Sequence, residues 1–300
     1  MLIAVVGATT AGKSDLAVDL ALALGGEVIN ADSMQLYQGM DIGTAKLTRE
    51  ERRGVPHHLL DVWAVTKTAS VAEYRELADA VIADITARGK VPVLVGGSGL
   101  YVRAALGDLD FPGTDEAIRE RLEAELGRRG PAPLYERLVA ADPTAAAAIL
   151  PGNGRRIVRA LEVIELSGRP FSATMPGYEG GRPAIQLGVQ VDRAELYRRI
   201  ESRVDRMWAA GLETEVRHLA AHGLRDGKTA SRALGYQQLL RYLDRQLTSD
   251  DARMETVRAT RQFARRQESW FRRDPRVRWL SAGEGLQARA LSEIVTRTNS

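Results

Sequence analysis

The 300-residue sequence predicts an α/β fold in which a parallel sheet, covered by helices, is interrupted by a helical insertion. Three observations predict it. Short apolar runs alternate with stretches of helical period over roughly the first hundred residues; each apolar run ends in glycine or a polar turn; and between residues 113 and 183 helical periodicity replaces the strand signal before another apolar run returns. With 44% hydrophobic and 27% charged residues the chain is of globular composition, which excludes disordered and fibrous classes.

Leu2 to Val6 reads as a buried strand, followed by a turn through Gly7 and Gly12 and a helix over Ser14 to Leu24 that stops at Gly25-Gly26. Glu27 to Asn30 is a second short strand, and it delivers Asp32 just past its C-terminal end. Ser70-Val71-Ala72-Glu73 is a capping-box pattern opening a helix that runs to Arg88-Gly89. Val91 to Val95 is an apolar strand that ends in Gly96-Gly97. From Asp115 to Ser167 the pattern is helical, broken at Gly130-Pro131, at Asp142-Pro143 and at Pro151-Gly152-Asn153-Gly154. Ala184 to Val191 returns to the sheet, and amphipathic helices follow from Arg193 to near residue 270. The expected division is a core of residues 1–112 and 184–300, with 113–183 inserted.

Function classes narrow quickly. The absence of cysteine excludes disulfides, thiolate metal sites and cysteine nucleophiles, and four histidines make a histidine-rich metal centre unexpected. His57-His58 is no exception, because neighbours on a strand face opposite ways. No apolar run reaches the roughly 18 to 20 residues that cross a bilayer, and Met1 leads into the first strand without a basic leader, so a cytoplasmic protein is expected. The net charge of +3 conceals an asymmetry: residues 1–150 hold 15 basic against 21 acidic residues, whereas 151–300 hold 27 against 18. The second half is therefore the half suited to a polyanion.

Gly7-Ala8-Thr9-Thr10-Ala11-Gly12-Lys13-Ser14 satisfies G-x-x-x-x-G-K-[ST] between a strand and a helix, which makes the core P-loop NTPase-like. Glycines let backbone N–H groups curve around phosphate oxygens, the helix N-terminus adds its dipole, Lys13 supplies a point charge and Ser14 can hold Mg²⁺. Such a motif is also an ATP-binding motif, but an NTPase needs a further strand ending in an acid, and Val91 to Val95 ends in Gly96-Gly97-Ser98. The acid at a strand end is instead Asp32, placed either to bind magnesium or to accept a proton from an attacking nucleophile.

The stretch from Ala31 to Lys46, Ala-Asp-Ser-Met-Gln-Leu-Tyr-Gln-Gly-Met-Asp-Ile-Gly-Thr-Ala-Lys, closely resembles the signature of bacterial tRNA dimethylallyltransferases. Collinear matches continue through Pro56-His57-His58-Leu59-Leu60-Asp61, Gly96 to Tyr101, Arg159 to Val163, Ala233 to Tyr236 and Arg265 to Phe271, so the likeness spans about residues 3–280. Departures are Ala8 for a usual proline, Ala11 for a common serine and Ser98 for a usual threonine, the last keeping the hydroxyl. The resemblance implies transfer of a dimethylallyl group from its diphosphate to the exocyclic N6 amine of the adenine just 3′ of a tRNA anticodon. It implies that residues Gly7 to Ser14 hold the diphosphate with Mg²⁺, that Asp32 is the base, and that Ser98 and Arg217 act at the reacting centre. Asp41 and Thr44 receive no role. The nearest alternatives are an adenylate isopentenyltransferase acting on a free nucleotide and a P-loop small-molecule kinase.

The same resemblance places tRNA contacts at Asp32, Ser33, Met34 and Gln35, at Ser98, at Arg119, at Arg155, Arg156, Ile157, Val158 and Arg159, and at Arg232, Ala233, Leu234, Gly235, Tyr236 and Gln237. A last group is Arg265, Arg266, Gln267, Glu268, Ser269, Trp270, Phe271 and Arg272. Periodicity adds that Arg258, Arg261, Arg265 and Arg272 fall within an arc of about 60° at 100° per residue, opposite Val257, Phe263, Ala264, Trp270 and Phe271. The expected partners are thus dimethylallyl diphosphate and a tRNA anticodon stem-loop, met by a monomer without a membrane, the target adenine leaving its stack to reach Asp32.

Overall fold

In the computed structural model, which describes residues 1–298 apart from 108, 110, 111, 175–177 and 179, the first apolar run forms a strand buried along its whole length, β1 (Leu2–Gly7). The glycine loop then leads into α1 (Lys13–Leu24), which ends at a left-handed Gly25, and into β2 (Glu27–Asn30). β3 (His57–His58), α2 (Val71–Ala87), β4 (Pro92–Gly96) and α3 (Gly99–Ala105) follow. Ser70 caps α2 by accepting from the Glu73 N–H, half of the capping box read from sequence.

Four helices come next: α4 (Glu116–Arg129), α5 (Ala132–Ala141), α6 (Pro143–Ala148) and α7 (Gly154–Ser167). Each break read from the sequence has a physical agent. Gly130 ends α4 with positive φ, Asp142 accepts from the Ala145 N–H ahead of Pro143, and Asn153 accepts from the Arg156 N–H. The chain divides into two compact units, Met1–Leu106 with Pro183–Ser300, and Gly107–Arg182. The smaller unit has its own core of Leu122, Leu134, Leu138, Ile149, Ile157 and Leu161.

The larger unit resumes with β5 (Ala184–Gln190), α8 (Arg193–Ala209), α9 (Leu212–Ala221), α10 (Tyr236–Leu243) and α11 (Ser249–Phe271). β6 (Val277–Ser281) and α12 (Leu286–Thr298) complete it. Its six strands form one parallel sheet in the order β3-β2-β4-β1-β5-β6. β1 lies between β4, with Val6 opposite Gly96, and β5, with Gly7 opposite Val189. Ile3, Val5, Val28, Val93 and Leu187 from the strands pack with Leu16 and Leu20 of α1 and Ile294 of α12. Because the strands are parallel, the loops after β1, β2 and β4 leave the same edge, where open α/β sheets place their ligands. No helix among the described residues is long and apolar enough to cross a membrane.

Candidate active site

The loop after β1 adopts the curvature that its glycines permit. Gly7 has φ 136° and Gly12 φ 94°, and a Cβ on Gly7 would lie 2.6 Å from the Val189 carbonyl oxygen, so no side chain fits there. Thr10 is also left-handed at φ 62°, and its buried Oγ1 has no hydrogen-bond partner. Lys13 lies across the loop, its Nζ donating to the Ala8 carbonyl at 2.6 Å. Burial lowers its pKa from 10.5 to about 8, Arg203 adds to the decrease, and Asp32 opposes it. Ser14 is the second residue of α1, at the positive end of the helix dipole.

Asp32 stands past β2 in a turn built by Asn30. The Asn30 amide donates to the Asp32 carbonyl at 3.0 Å and to the Leu59 carbonyl at 2.9 Å, while its oxygen accepts from the Asp32 N–H at 2.9 Å. Asp32 Oδ1 takes the Met34 N–H at 2.9 Å, which fixes the carboxylate's rotamer. Ser98, at the start of α3, meets Ser33: its Oγ lies 3.3 Å from the Ser33 N and 3.4 Å from the Ser33 Oγ. Thr9, Asp32 and Ser98 line one cavity of about 510 Å³, walled further by Met207, Leu234, Phe263 and Trp270. Much of the wall is apolar, with polar groups from the strand-end loops and arginines from the helices reaching into it, an arrangement suited to an apolar group attached to a charged one.

Arg203, Arg232 and Arg266 line this cavity. Arg217 lies on the exposed face of α9 in a pair with Glu213 one helical turn away, at 2.7 Å, and does not line the cavity. Arg203 of α8 reaches the glycine loop instead, donating to Thr9 Oγ1 at 3.1 Å and to the Thr44 carbonyl at 3.2 Å. Its recessed guanidinium is held below its ordinary pKa mainly by desolvation, with Asp32 opposing. A signal for it was present: α8 buries Leu196, Ile200 and Val204, and Arg203 interrupts that apolar stripe with a fixed charge.

The signature segment also acquires a structure. Thr44 donates from Oγ1 to the Met40 carbonyl at 2.5 Å, while its own carbonyl receives Gln35 Nε2 at 3.0 Å as well as Arg203. Asp41 pairs with Lys46 at 2.8 Å. Glu215, which the sequence did not single out, accepts the N–H groups of Asp41, Ile42 and Gly43 and the hydroxyl of Tyr236. His57 and His58 are committed locally, to the Val55 carbonyl and to Glu27.

The expected nucleic-acid contacts divide into exposed and buried sets. Arg232, Ala233, Leu234, Arg266 and Trp270 line the cavity, and Arg155, Arg156, Gln237, Arg265, Ser269 and Arg272 are exposed. Gln267 is buried yet lines the cavity as well, and the side chains of Ile157, Val158, Tyr236 and Phe271, with Gly235, are buried within the protein. Arg119 and Arg159 are also committed, both to Glu162, a fully buried carboxylate whose charge needs them. On the cationic stripe Arg261 pairs with Glu201 at 2.9 Å and stacks on Tyr197, leaving Arg258, Arg265 and Arg272 exposed.

Comparison with known proteins supplies independent findings. The family model described as "IPP transferase" matches residues 35–274. A tRNA dimethylallyltransferase of Salinispora arenicola is 67% identical over 293 residues, covering 97% of this chain and 86% of that protein. One of Streptomyces coelicolor is 68% identical over 281 residues, covering 94% and 90%. Among solved structures, the tRNA isopentenylpyrophosphate transferase of Bacillus halodurans superposes with a TM-score of 0.72 at 39% identity, covering 99% of this chain and 98% of that one. A eukaryotic dimethylallyltransferase described as acting on tRNA superposes with a TM-score of 0.82 at 26% identity, covering 99% of this chain and 78% of the other.

Proposed function

Since the chain belongs to the IPP transferase family, we propose that it moves a dimethylallyl group from dimethylallyl diphosphate to the N6 amine of the adenine immediately 3′ of a tRNA anticodon. The observation that carries the reading is the meeting, in one largely apolar cavity, of the glycine loop's Thr9, the carboxylate of Asp32 and the hydroxyl of Ser98. In the reaction the allylic C–O bond breaks, its electron pair leaves with diphosphate, the N6–C bond forms and the amine proton goes to Asp32. An amine conjugated to a purine is weakly nucleophilic, so removing its proton during attack is what a fixed carboxylate can contribute. Lys13 and Arg203, both at the glycine loop, would stabilise the negative charge growing on the leaving oxygen, and their desolvation would strengthen that hold. Phe263, Trp270 and Met207 exclude water from the allylic carbon.

A divalent cation fits this donor set. No group of three or more His, Cys, Asp or Glu that could hold a metal exists among the described residues, whereas Mg²⁺ is commonly held by one or two protein oxygens, waters and substrate phosphates. Ser14, at the start of α1 after the glycine loop, would hold it, and when bound it would neutralise charge on the diphosphate. Contacts to the acceptor are assigned to Arg232 and Arg266, which line the cavity, and to the exposed Arg265 and Arg272; in the smaller unit Arg155 and Arg156 are exposed. A tRNA acceptor is in keeping with a protein that works in the cytoplasm. Diphosphate release tests the reading: it should require tRNA and a divalent cation together. Release with AMP in place of tRNA, or ADP formed from ATP, would replace it with a nucleotide prenyltransferase or a kinase.

A further inference from the structure

Gln267 lies in the segment of α11 flanked by the exposed arginines Arg265, Arg266 and Arg272, yet it is only 4% exposed. Its amide makes two hydrogen bonds of opposite sense. Oε1 accepts the Thr9 N–H at 2.8 Å, and Nε2 donates to the Gly97 carbonyl at 2.9 Å. One bond reaches the loop after β1 and the other reaches the residue before Ser98, after β4. The fit is close: a Cβ on Gly97 would lie 2.2 Å from Gln267 Nε2, and one on Gly99 would lie 2.1 Å from the Trp270 ring. A side chain that donates to one loop and accepts from the other specifies both at once, and among the common residues glutamine and asparagine alone carry such an amide. Asparagine is one methylene shorter.

We propose that Gln267 is a positioning residue that fixes the donor loop, through Thr9, against the acceptor-side loop, through Gly97 and Ser98, and that it ties both to the helix bearing the exposed arginines. This rests on the functional reading above. The consequence lies in the geometry of transfer and not in affinity. Each substrate keeps its own contacts when the amide is removed, but the allylic carbon and the amine are no longer held in register, and a misplacement of about 1 Å can cost on the order of 10²-fold in rate.

The test compares Gln267→Met, which preserves bulk and removes both bonds, with Gln267→Glu, which still accepts from Thr9 but cannot donate to Gly97 when ionised. Single-turnover transfer to a tRNA stem-loop is measured beside the dissociation constants for that stem-loop and for dimethylallyl diphosphate. The expected result is a fall of about 10- to 100-fold in rate for Gln267→Met and a smaller fall for Gln267→Glu, with both dissociation constants within about 3-fold of wild type. A rate within about 2-fold of wild type in either folded variant, or a rise in either dissociation constant that accounts for the slower rate, overturns the proposal. If Gln267→Met does not fold, Gln267→Glu alone decides by the same criteria. Wild-type protein in the same assay keeps the two failures apart: no transfer by wild type sinks the functional reading, whereas normal transfer by the variants sinks only the role of Gln267.

Discussion

Replacing Lys13 by methionine should make the ligand-free protein more stable while removing its hold on diphosphate. The ammonium is charged at neutral pH, but burial has lowered its pKa from 10.5 to about 8. That difference corresponds to about 3 kcal/mol by which the folded state disfavours the proton relative to the unfolded state. The penalty is full below pH 8, shrinks as pH rises towards 10.5, where the unfolded lysine also loses its proton, and then vanishes. Lys13→Met removes it but forfeits the bond to the Ala8 carbonyl, worth about 1 kcal/mol, for a net gain of about 2 kcal/mol. For a unit of this size that raises Tm by about 4 to 8 °C. Calorimetry of both proteins without ligand at pH 7 and pH 10 reads the effect, and groups common to the two cancel in the difference. The variant should melt higher at pH 7, the gap should close by about pH 10, and added inorganic diphosphate should stabilise wild type alone. Equal melting at pH 7, or a gap independent of pH, would refute the argument that Lys13 is held at a desolvation cost that an anion relieves.

Asp32→Ala should lower single-turnover transfer by about 10² to 10⁴ while leaving tRNA affinity intact; near wild-type transfer removes Asp32 as the base. Arg203→Ala should cost about 10²-fold or more in rate and Arg217→Ala less than about 2-fold, and the reverse ranking in one assay would return the role to Arg217. Replacing Arg258, Arg265 and Arg272 together by alanine should reduce the slope of log affinity for tRNA against log salt by up to about one for each phosphate that is no longer neutralised. Turnover at saturating tRNA should hardly change, and an unaltered slope in filter-binding titrations would assign the stripe to solvent.

The sequence revealed most where local chemistry is decisive. The glycine loop, the turn at Asp32 and the helix breaks at Gly130, Asp142 and Asn153 depend on residues within a few positions of one another, and each lies where the sequence indicates. β3 gives no periodic signal, because two residues, His57 and His58, are too few for an alternation to show. β6 was missed because an edge strand that buries only Val277 fully looks like the tail of the basic helix before it. At the site, Arg203 lines the cavity and Arg217 does not because α8 packs against it and α9 does not, a long-range fact that one-dimensional spacing reports only as a cation inside an apolar stripe. The burial of Gln267, Phe271 and Tyr236 inside otherwise cationic or polar segments likewise comes from tertiary packing. Motif matching assigns a whole segment to one role, whereas a helix gives its two faces different ones.

In the proposed reaction one cavity joins the glycine loop to an acceptor amine carried by tRNA. Nucleoside mass analysis tests it most directly. An unmodified tRNA anticodon stem-loop, incubated with the protein, Mg²⁺ and dimethylallyl diphosphate and then digested, should show a single adenosine heavier by one dimethylallyl group in place of a hydrogen, located immediately 3′ of the anticodon. A stem-loop with that adenine replaced by guanine should stay unchanged. An unmodified stem-loop in the presence of both substrates, or the prenyl group found on free AMP instead, would contradict the account.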